Sequence, residues 1–441
     1  MGEGLLKDRA ASPVSTVASR SLLFADAGLA RVDGGLRMSS VALRDIATRV
    51  GTPAYVYNAE AIRERYHELD QALSAVPHRI CFAVKANSTL AVLRVLRDLG
   101  AGADIVSGGE MARALAAGFA PERIVFSGVG KSPAELQQAI RARLGHINVE
   151  SREELELLAQ LAETEGARVP VGIRVNPDVT TETHPYISTG KSGIKFGIPV
   201  DQVVSAAEVI LRTPALELTT LAMHLGSQLV NPAPFREGVV RLLELATQLR
   251  QAGVTTLRVL DIGGGLGIRY TDEPSMDPTR FAEAVVPLLA SSKLIAYVEP
   301  GRFLVGSAGV LLTQVLYRKH SGGKEFVVVD AGMNDLVRPS HYQAYHEIVP
   351  LQDRGRAETR VDVVGPVCET GDFLALDRPL PGVTPGEWLA VLGAGAYGFV
   401  MASNYNTRPR PAEVLVDGDR WWVARAREQI QDLFYSERME P

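Results

Sequence analysis

The sequence predicts a (β/α)₈ barrel followed by a mainly β domain. Between residues 79 and 302, short apolar runs rich in β-branched residues alternate with segments of helical periodicity, and we assign eight such runs as strands. After residue 302 the helical periodicity nearly disappears, and strand-like runs are separated by Gly, Pro and charged turns. A doubly wound open sheet remains an alternative for the first part, because periodicity does not distinguish a closed sheet from an open one.

The eight predicted barrel strands are residues 80–84, 103–106, 123–127, 146–149, 170–175, 220–225, 257–262 and 294–299. Cap signals mark some of the helices between them. Ser132, with Pro133 at the first helical position and Glu135, predicts a capped start. Ser151 and Glu154 fit a capping box.

Strand-like runs outside the barrel, together with the composition of each region, predict how the whole chain is divided into domains. We expect a polar tail over residues 1–20, N-terminal strands joining the β domain over 21–49, the barrel domain over 50–302 and the β domain over 303–441. The predicted strands outside the barrel are Gly28–Val32, Leu36–Met38, Val310–Leu316, Glu325–Val329, Val361–Val364, Trp388–Leu392, Glu413–Val416 and Trp421–Ala424.

Composition narrows the class of protein. A net charge of -5 and a pI near 6.0 give no reason to expect binding to nucleic acid or to an acidic membrane surface. Cys81 and Cys368 are the two cysteines of the sequence, so we expect no disulfide framework. This composition predicts a reducing, cytoplasmic location. The apolar runs are far shorter than the roughly 20 residues of a membrane-spanning helix.

Lys85 ends the apolar run of residues 79–87, RICFAVKAN. With a period of two, Lys85 would share a strand face with the small residues Cys81 and Ala83. An amine at the edge of an apolar enclosure loses its proton more readily than one in water, which makes Lys85 a candidate Schiff-base nucleophile. The alternative is a lysine that marks the exit of the strand into solvent.

The ends of the other strands carry further candidates, because the active site of such a barrel lies at the C-terminal ends of its strands. These ends are Lys85, Ser107, Ser127, Glu150, Asn176, His224, Gly263–Gly265 and Glu299. His224 is either a hydrogen-bonded core imidazole or a ring that stacks on a flat cofactor. No His or Cys spacing typical of a metal site is present in the sequence, so no metal is predicted.

The glycines after the seventh strand predict an anion site. Gly263, Gly264 and Gly265 have no Cβ, so their N–H groups can converge on a phosphate at the position where such barrels bind one; a tight turn without a ligand is the alternative. Glu299, beside such a loop, would need a cationic partner such as a protonated pyridine nitrogen. Arg302 could bind a carboxylate or phosphate, or could simply pair with Glu299.

Three clusters lie in the predicted β domain. Arg338 and Tyr342 are four residues apart in a turn-rich segment. Cys368 and Glu369 follow an apolar strand, where the flanking Gly, Pro and Asp favour a loop over a buried structural cysteine. Tyr397 offers a phenol on a glycine-rich loop, suited to a phosphate oxygen.

Together these motifs resemble the fold-type III pyridoxal-phosphate decarboxylases, whose barrel is of the alanine-racemase type. The resemblance runs in order from about residue 50 to residue 425, and rests on Phe82–Asn87, His224–Gln228, Gly263–Gly265, Glu299–Arg302, Cys368–Asp372 and Gly395–Gly398. Members that act on meso-2,6-diaminopimelate are favoured by Met333–Pro339, Tyr345–Ile348 and Ser403–Pro409.

The resemblance implies roles for the cofactor-binding residues. Lys85 would form the internal aldimine with pyridoxal 5′-phosphate, His224 would stack on the ring, and Glu299 would keep the pyridine nitrogen protonated. The remaining cofactor contacts would come from Ser227, Gly263, Gly264, Gly265, Gly301, Arg302 and Tyr397.

The resemblance also implies how the substrate is bound and which product forms. Cys368 would protonate the carbanion left by CO₂, and the product would be L-lysine. In the family Cys368 and Glu369 come from the partner subunit, which implies a homodimer with shared active sites. The substrate would be bound by Arg302, Arg338, Tyr342, Glu369 and Tyr397.

Other functions stay open at the level of sequence. A decarboxylase of ornithine, lysine, arginine or a carrier-bound amino acid would not need Arg302 and Arg338 for a second carboxylate. A racemase would need a second base facing Lys85, and a non-catalytic carrier of pyridoxal phosphate would not need Cys368. The sequence also leaves open whether the segment 180–197, inserted after the fifth strand, closes over the substrate.

Overall fold

The computed structural model describes residues 16–179 and 195–439. The sequence leaves open whether the segment 180–197 closes over the substrate. Residues 180–194 of this segment lie outside the described ranges. The described residues divide into two units. The barrel unit comprises 63–179, 195–268 and 274–304, and the β unit comprises 16–62, 269–273 and 305–439.

The strands are numbered along the chain. They are β1 Leu29–Val32, β2 Gly35–Met38, β3 Val41–Ala42, β4 Ala54–Asn58, β5 His78–Ala83, β6 Gly102–Ile105, β7 Ile124–Phe126, β8 His146–Val149, β9 Val169–Asn176, β10 Ile198–Pro199, β11 Leu216–Met223, β12 Val259–Asp261, β13 Ile295–Val298, β14 Gly309–Ser321, β15 Lys324–Val329, β16 Ile348–Pro350, β17 Glu358–Val364, β18 Phe373–Pro381, β19 Trp388–Val391, β20 Ala412–Asp417 and β21 Arg420–Arg425.

The helices are numbered in the same way. They are α1 Val17–Ala27, α2 Leu43–Val50, α3 Ala59–Ala72, α4 Leu90–Asp98, α5 Gly108–Ala117, α6 Pro133–Ala142, α7 Arg152–Thr164, α8 Val203–Arg212, α9 Ala233–Gln251, α10 Pro278–Ser292, α11 Arg302–Val305 and α12 Arg338–Tyr342. Within the described ranges, none of these helices is both long enough and apolar enough to cross a membrane.

Eight parallel strands close into a barrel in the order β5, β6, β7, β8, β9, β11, β12, β13. The ring closes where β13 pairs with β5, with Val298 opposite Ile80. Short β10 extends the sheet beside β9. Most strand residues are buried, as expected when helices cover the outside of the barrel and side chains fill the inside. The predicted barrel is confirmed, and each of its eight predicted strands overlaps an observed one.

The predicted helix caps are confirmed at Ser132 and only half confirmed at Ser151. At α6, Ser132 Oγ accepts from the N–H of Glu135 (3.3 Å), and the Glu135 carboxylate accepts from the N–H of Ser132 (2.9 Å). At α7, Ser151 Oγ accepts from the N–H of Glu154 (3.1 Å). The Glu154 carboxylate instead accepts from the N–H of Glu150 (2.9 Å), one residue earlier than a capping box requires.

The β unit contains a small and a large sheet. Strands β1, β2 and β3 form a three-stranded antiparallel sheet. The large sheet runs in the order β18, β17, β15, β14, β4, β20, β21, and β19 pairs with both β14 and β16. A core of apolar side chains from α2, the small sheet and the large sheet holds this unit together; it includes Met38, Leu43, Ile46, Val56, Val310, Leu312, Ala390 and Val414.

Candidate active site

Lys85 lies just beyond the end of a barrel strand. Strand β5 ends at Ala83, and Lys85 occupies a 3₁₀ turn over residues 84–86. The alternation of side chains along the strand therefore does not extend to Lys85, and the prediction that it shares a strand face with Cys81 was wrong. Its position at the C-terminal end of the barrel is the predicted one, where βα loops build the active site.

The amine of Lys85 has a charged partner that the sequence analysis did not identify. Nζ of Lys85 donates to Oδ2 of Asp104 at 2.8 Å; the side chain of Lys85 is 32% exposed and that of Asp104 is 0% exposed. Asp104 lies on β6, and its Cα pairs with that of Ala83, the last residue of β5. The sequence signal for this ion pair is an acidic residue, Asp104, inside the otherwise apolar run of residues 102–106. The expected apolar enclosure of the amine is thus replaced by an ion pair.

Three of the predicted residues line one cavity of about 350 Å³ in the barrel unit: Lys85, His224 and Glu299. They follow strands β5, β11 and β13, which lie in different parts of the sequence. The barrel brings them together because its parallel strands all end at one rim. A cavity of this volume is within the usual range for a small cofactor or substrate.

His224 is held as a neutral imidazole. Its Nδ1 accepts from the N–H of Gly264 at 3.2 Å, so the ring hydrogen is on Nε2. Burial lowers the pKa of His224 well below its ordinary value, and the positive charges of Lys85 and Arg174 lower it further. A flat, uncharged ring therefore forms part of the cavity wall.

Glu299 and Asp261 are two buried carboxyl groups whose pKa values are both raised. Burial raises the pKa of Glu299 well above its ordinary value, and the negative charges of Asp104 and Asp261 add to this effect. Burial also raises the pKa of Asp261 to about 6, although a hydrogen bond with Glu299 and the N–H of Gly263 oppose the rise. Because two adjacent buried charges would repel each other, the fold favours the protonated form of this pair.

The triglycine loop packs too closely against neighbouring backbone for any larger residue. A Cβ on Gly264 would lie 1.9 Å from the carbonyl oxygen of Glu299, and Gly263 adopts a φ of +72°. Two of the three N–H groups are used within the fold, since Gly263 donates to Asp261 Oδ1 (2.9 Å) and Gly264 donates to His224. The prediction that all three N–H groups converge on an anion was therefore wrong for Gly263 and Gly264. The N–H of Gly265 is the candidate of the three for binding an anion.

A second charged pair at the cavity also escaped the sequence analysis. Arg174, on β9, lines the cavity and donates to Oε1 of Glu150 at 2.7 Å. The carboxylate of Glu150 also accepts from the N–H groups of Gly128 (2.8 Å) and Gly197 (3.1 Å). Arg174 packs over the ring of Phe196 at 4.9 Å. The sequence marks Glu150 only as a strand end, because no local pattern pairs it with Arg174.

Arg302 is buried at the start of α11. Its Nε and Nη2 donate to Ser227 Oγ at 3.4 and 3.2 Å. The structure thus brings together two predicted site residues from the loops after β11 and β13. Gly301, beside Arg302, is buried against Ala83 and Ala86, the residues that flank the 3₁₀ turn of Lys85.

In the β unit, Arg338 and Tyr342 are the first and last residues of helix α12. The predicted turn-rich loop is thus a short helix, and a spacing of four places both side chains on one face. Arg338 is 6% exposed, and its Nη1 donates to the hydroxyl of Tyr270 at 2.9 Å.

Cys368 lies in the exposed loop between β17 and β18, as the flanking residues predicted. Asn406 Oδ1 accepts from its N–H at 2.7 Å, and the buried carboxylate of Asp372 accepts from the N–H groups of Val367 and Met333, each at 2.6 Å. The neighbouring Glu369 is also exposed. The loop backbone is therefore well held, while its thiol and carboxylate are accessible.

Tyr397 has a left-handed backbone, with a φ of +55°. This conformation costs a residue with a Cβ about 1 kcal/mol, and such strain is often found at functional sites. Gly395 and Gly398 flank it in close contact with backbone, since a Cβ would lie 1.9 Å from Val305 O and 2.6 Å from Ala394 O.

A family model matches residues 59–306, which is more than half of the chain: the pyridoxal binding domain of the pyridoxal-dependent decarboxylases. This region includes Lys85, His224 and Glu299.

Similar proteins match over nearly their whole length. A diaminopimelate decarboxylase from Pseudomonas aeruginosa is 49% identical over 93% of this chain and 98% of its own, and one from Vibrio cholerae is 46% identical over the same shares. Among solved structures, diaminopimelate decarboxylase from Helicobacter pylori in complex with L-lysine has a TM-score of 0.87 and 39% identity, and the match covers 90% of this chain and 99% of that one.

The family model and the similar proteins agree on the cofactor and on the type of reaction. The chain belongs to the diaminopimelate decarboxylases, enzymes that depend on pyridoxal phosphate.

Proposed function

We propose that this enzyme converts meso-2,6-diaminopimelate to L-lysine and CO₂ with Lys85, Glu299 and Cys368 in the central roles. Lys85 holds the cofactor, Glu299 controls the charge of its ring, and Cys368 of a partner subunit supplies the final proton. The observation that carries the proposal is the single cavity lined by Lys85, His224 and Glu299.

The cavity fits pyridoxal phosphate in its donors and acceptors. Oε1 of Glu299 is buried, and no donor from the described residues reaches it. A protonated pyridine nitrogen is the kind of donor this oxygen requires, and its positive charge favours ionisation of the carboxyl pair. Lys85 provides the amine that holds the aldehyde. The proposed phosphate contacts are Ser227, Gly265, the backbone of Gly301 and Arg302, and Tyr397. When bound, the cofactor draws electron density from the bond that breaks at the substrate Cα.

The surrounding residues prepare the site for this chemistry. Glu299 holds a proton at the ring nitrogen, with Asp261 behind it as its hydrogen-bond partner. His224, as a neutral ring, stacks on the cofactor without adding a positive charge beside the nitrogen. Asp104 orients the amine of Lys85. Groups fixed in this way need no reorganisation during the reaction, which is the main source of electrostatic catalysis.

The substrate carries two carboxylates and two amino groups, and the proposed contacts match them. Arg302 and Arg338 bind carboxylate, Tyr342 and Tyr397 add hydroxyls, and Glu369 binds the distal ammonium group. Both arginines are largely buried, so their attraction to an anion is weakly screened by water. A substrate without the second carboxylate would leave this buried charge without its anion.

Cys368 is proposed to act in the active site of a second subunit. Its exposed thiol lies on a loop whose backbone is fixed by Asn406 and Asp372, which suits a group that must reach another chain in a defined geometry. A homodimer follows, in which each site combines Lys85 of one chain with Cys368 and Glu369 of the other.

Replacing Arg338 by alanine is expected to raise KM for meso-diaminopimelate by about 10²-fold or more, because a buried bidentate contact to carboxylate is lost. CO₂ release and L-lysine formation measure the effect. Arg360→Ala is the matched control, since Arg360 is an exposed residue of the same unit that pairs with Asp377 and is expected to leave KM unchanged. An unchanged KM in Arg338→Ala, or equal turnover of L-ornithine by the wild type, would remove this substrate assignment.

Mixing two inactive variants tests the shared site. Lys85→Ala and Cys368→Ala chains, refolded or coexpressed together, are expected to form heterodimers with up to about half of wild-type activity, because one of the two sites in each heterodimer is intact. Activity is measured after heterodimers have been isolated with two affinity tags. Heterodimers that stay as inactive as their parents would contradict a site shared between subunits.

A further inference from the structure

His346 lies next to Arg338 in the β unit and has no role in the proposed function. It is fully buried in the segment between α12 and β16. Nη1 of Arg338 lies 3.2 Å from Nε2 of His346 and 2.9 Å from the hydroxyl oxygen of Tyr270. The guanidinium carbon of Arg338 also lies 4.9 Å from the centre of the Tyr270 ring. Two side chains thus contact the same nitrogen of the arginine.

The other ring nitrogen determines the tautomer of His346. Nδ1 is 2.8 Å from the carbonyl oxygen of Leu392, which can only accept, so Nδ1 carries the hydrogen. In the neutral ring Nε2 then has a lone pair and accepts from Arg338. A hydroxyl oxygen and an imidazole nitrogen therefore receive the two hydrogens of Nη1, and rotation of the guanidinium is restricted.

Hydrogen bonds hold the backbone on both sides of the His346 ring. The N–H of Leu392 donates to the carbonyl of Glu347 (2.8 Å), and Arg378 donates to the carbonyl of His346 (2.7 Å). The rings of Tyr270 and His346 pack edge to face, with centroids 5.5 Å apart. Gly393 makes room for both, since a Cβ there would already lie 3.3 Å from the Tyr270 ring.

We propose that His346 is a positioning residue which, together with Tyr270, sets the guanidinium of Arg338 for the distal carboxylate of the substrate. The proposal rests on the proposed function, in which Arg338 binds that carboxylate. His346 would touch neither substrate nor cofactor and would act through Arg338. It would thereby contribute to the preference of the enzyme for a substrate with a carboxylate at each end.

Two substitutions separate the hydrogen bonds of the ring. His346→Gln places an amide oxygen near the position of Nε2 and keeps an acceptor for Arg338. His346→Asn places an amide N–H near Nδ1 and keeps the donor to Leu392 while the acceptor is lost. His346→Asn is expected to raise KM for meso-diaminopimelate about tenfold with kcat little changed, and His346→Gln to raise it less than about threefold.

Combination with Arg338→Ala shows whether the effect passes through the arginine. In the Arg338→Ala background, His346→Asn is expected to cause no further rise in KM, because the group it positions is already absent. Equal effects of the two histidine variants, or a tenfold rise that persists without Arg338, would overturn the proposal. If Arg338→Ala itself leaves KM unchanged, the substrate assignment fails and this proposal fails with it; a large effect of Arg338→Ala with additive histidine effects refutes the positioning role alone.

Tyr270→Phe provides an independent measurement if the asparagine variant does not fold. It keeps the packed ring and removes only the hydroxyl. KM is expected to rise several-fold, and this rise should also vanish when Arg338 is alanine. A Tyr270→Phe enzyme with wild-type KM would show that Arg338 does not depend on this support.

Discussion

Lys85→Ala is expected to lower kcat by about 10⁴-fold or more, the largest effect of any substitution in this chain. The amine is the group that holds the cofactor covalently, and the methyl group of alanine cannot form that bond. Borohydride reduction is therefore expected to attach pyridoxal phosphate to the wild-type chain and not to the variant. Mass spectrometry measures the attachment, and the visible absorbance of the protein reports the same loss.

The control for this substitution is Lys324→Ala. Lys324 is an exposed lysine on β15 that pairs with Asp362 at 3.1 Å, and a surface ion pair contributes at most about 1 kcal/mol to stability. Its removal is expected to change neither absorbance nor kcat. A Lys85→Ala protein that keeps the visible absorbance of the wild type would refute the role of Lys85 as the attachment site.

Glu299→Gln is expected to lower kcat by about 10²- to 10³-fold with a small change in KM. Glutamine keeps the size of the side chain but has no negative charge to hold a proton at the pyridine nitrogen. The developing carbanion then loses the stabilisation that a cationic ring provides. Steady-state kinetics with saturating pyridoxal phosphate measure the effect, and Glu283→Gln, an exposed change on α10, is the control.

Glu299→Gln is expected to lower kcat but to raise the stability of the cofactor-free protein. Burial raises the pKa of Glu299 well above its ordinary value and that of Asp261 to about 6. Because the folded state favours the protonated carboxyls, the stability of the cofactor-free wild type falls as pH rises from about 4, the pKa of an unfolded carboxyl, through the raised pKa values of the folded state. Glutamine removes one of the two ionisable groups. Cofactor-free Glu299→Gln is therefore expected to melt at the same temperature as wild type below about pH 4, and at a progressively higher temperature than wild type as pH rises above that value. A fall in both kcat and melting temperature at pH 8 would instead indicate a structural role.

The fold was predictable where the sequence has a strong local signal. All eight barrel strands and the six strands predicted after residue 302 were found, because buried strands are rich in apolar residues. Strand β18, FLALDRPLP, escaped prediction because its two prolines and its charges resemble a turn. Helix α1 was also missed, since the sequence suggested a tail and strands there. Strand β4 pairs with β14 and β20, and no local pattern shows which sheet a strand joins.

The site was predictable in its chemical groups and not in their charge partners. A lysine, a histidine, a glycine loop and a glutamate at successive strand ends indicated a cofactor site because barrel topology collects strand ends at one rim. The contact of Lys85 with Asp104 depends on the strand pairing of β5 with β6. The contact of Arg174 with Glu150 depends on the strand pairing of β8 with β9. Such long-range pairs leave no periodic trace in a sequence.

The sequence by itself thus determined the barrel, the order of the reactive groups and the family to which the chain is similar, because each depends on local periodicity or on short motifs. Only the tertiary structure decided the protonation of those groups. Burial lowers the pKa of His224, and the charges of Lys85 and Arg174 lower it further. Burial raises the pKa of Glu299, and the charges of Asp104 and Asp261 raise it further. Burial and the distance between remote charges are properties of the folded chain, and these two quantities set the pKa values on which the chemistry depends.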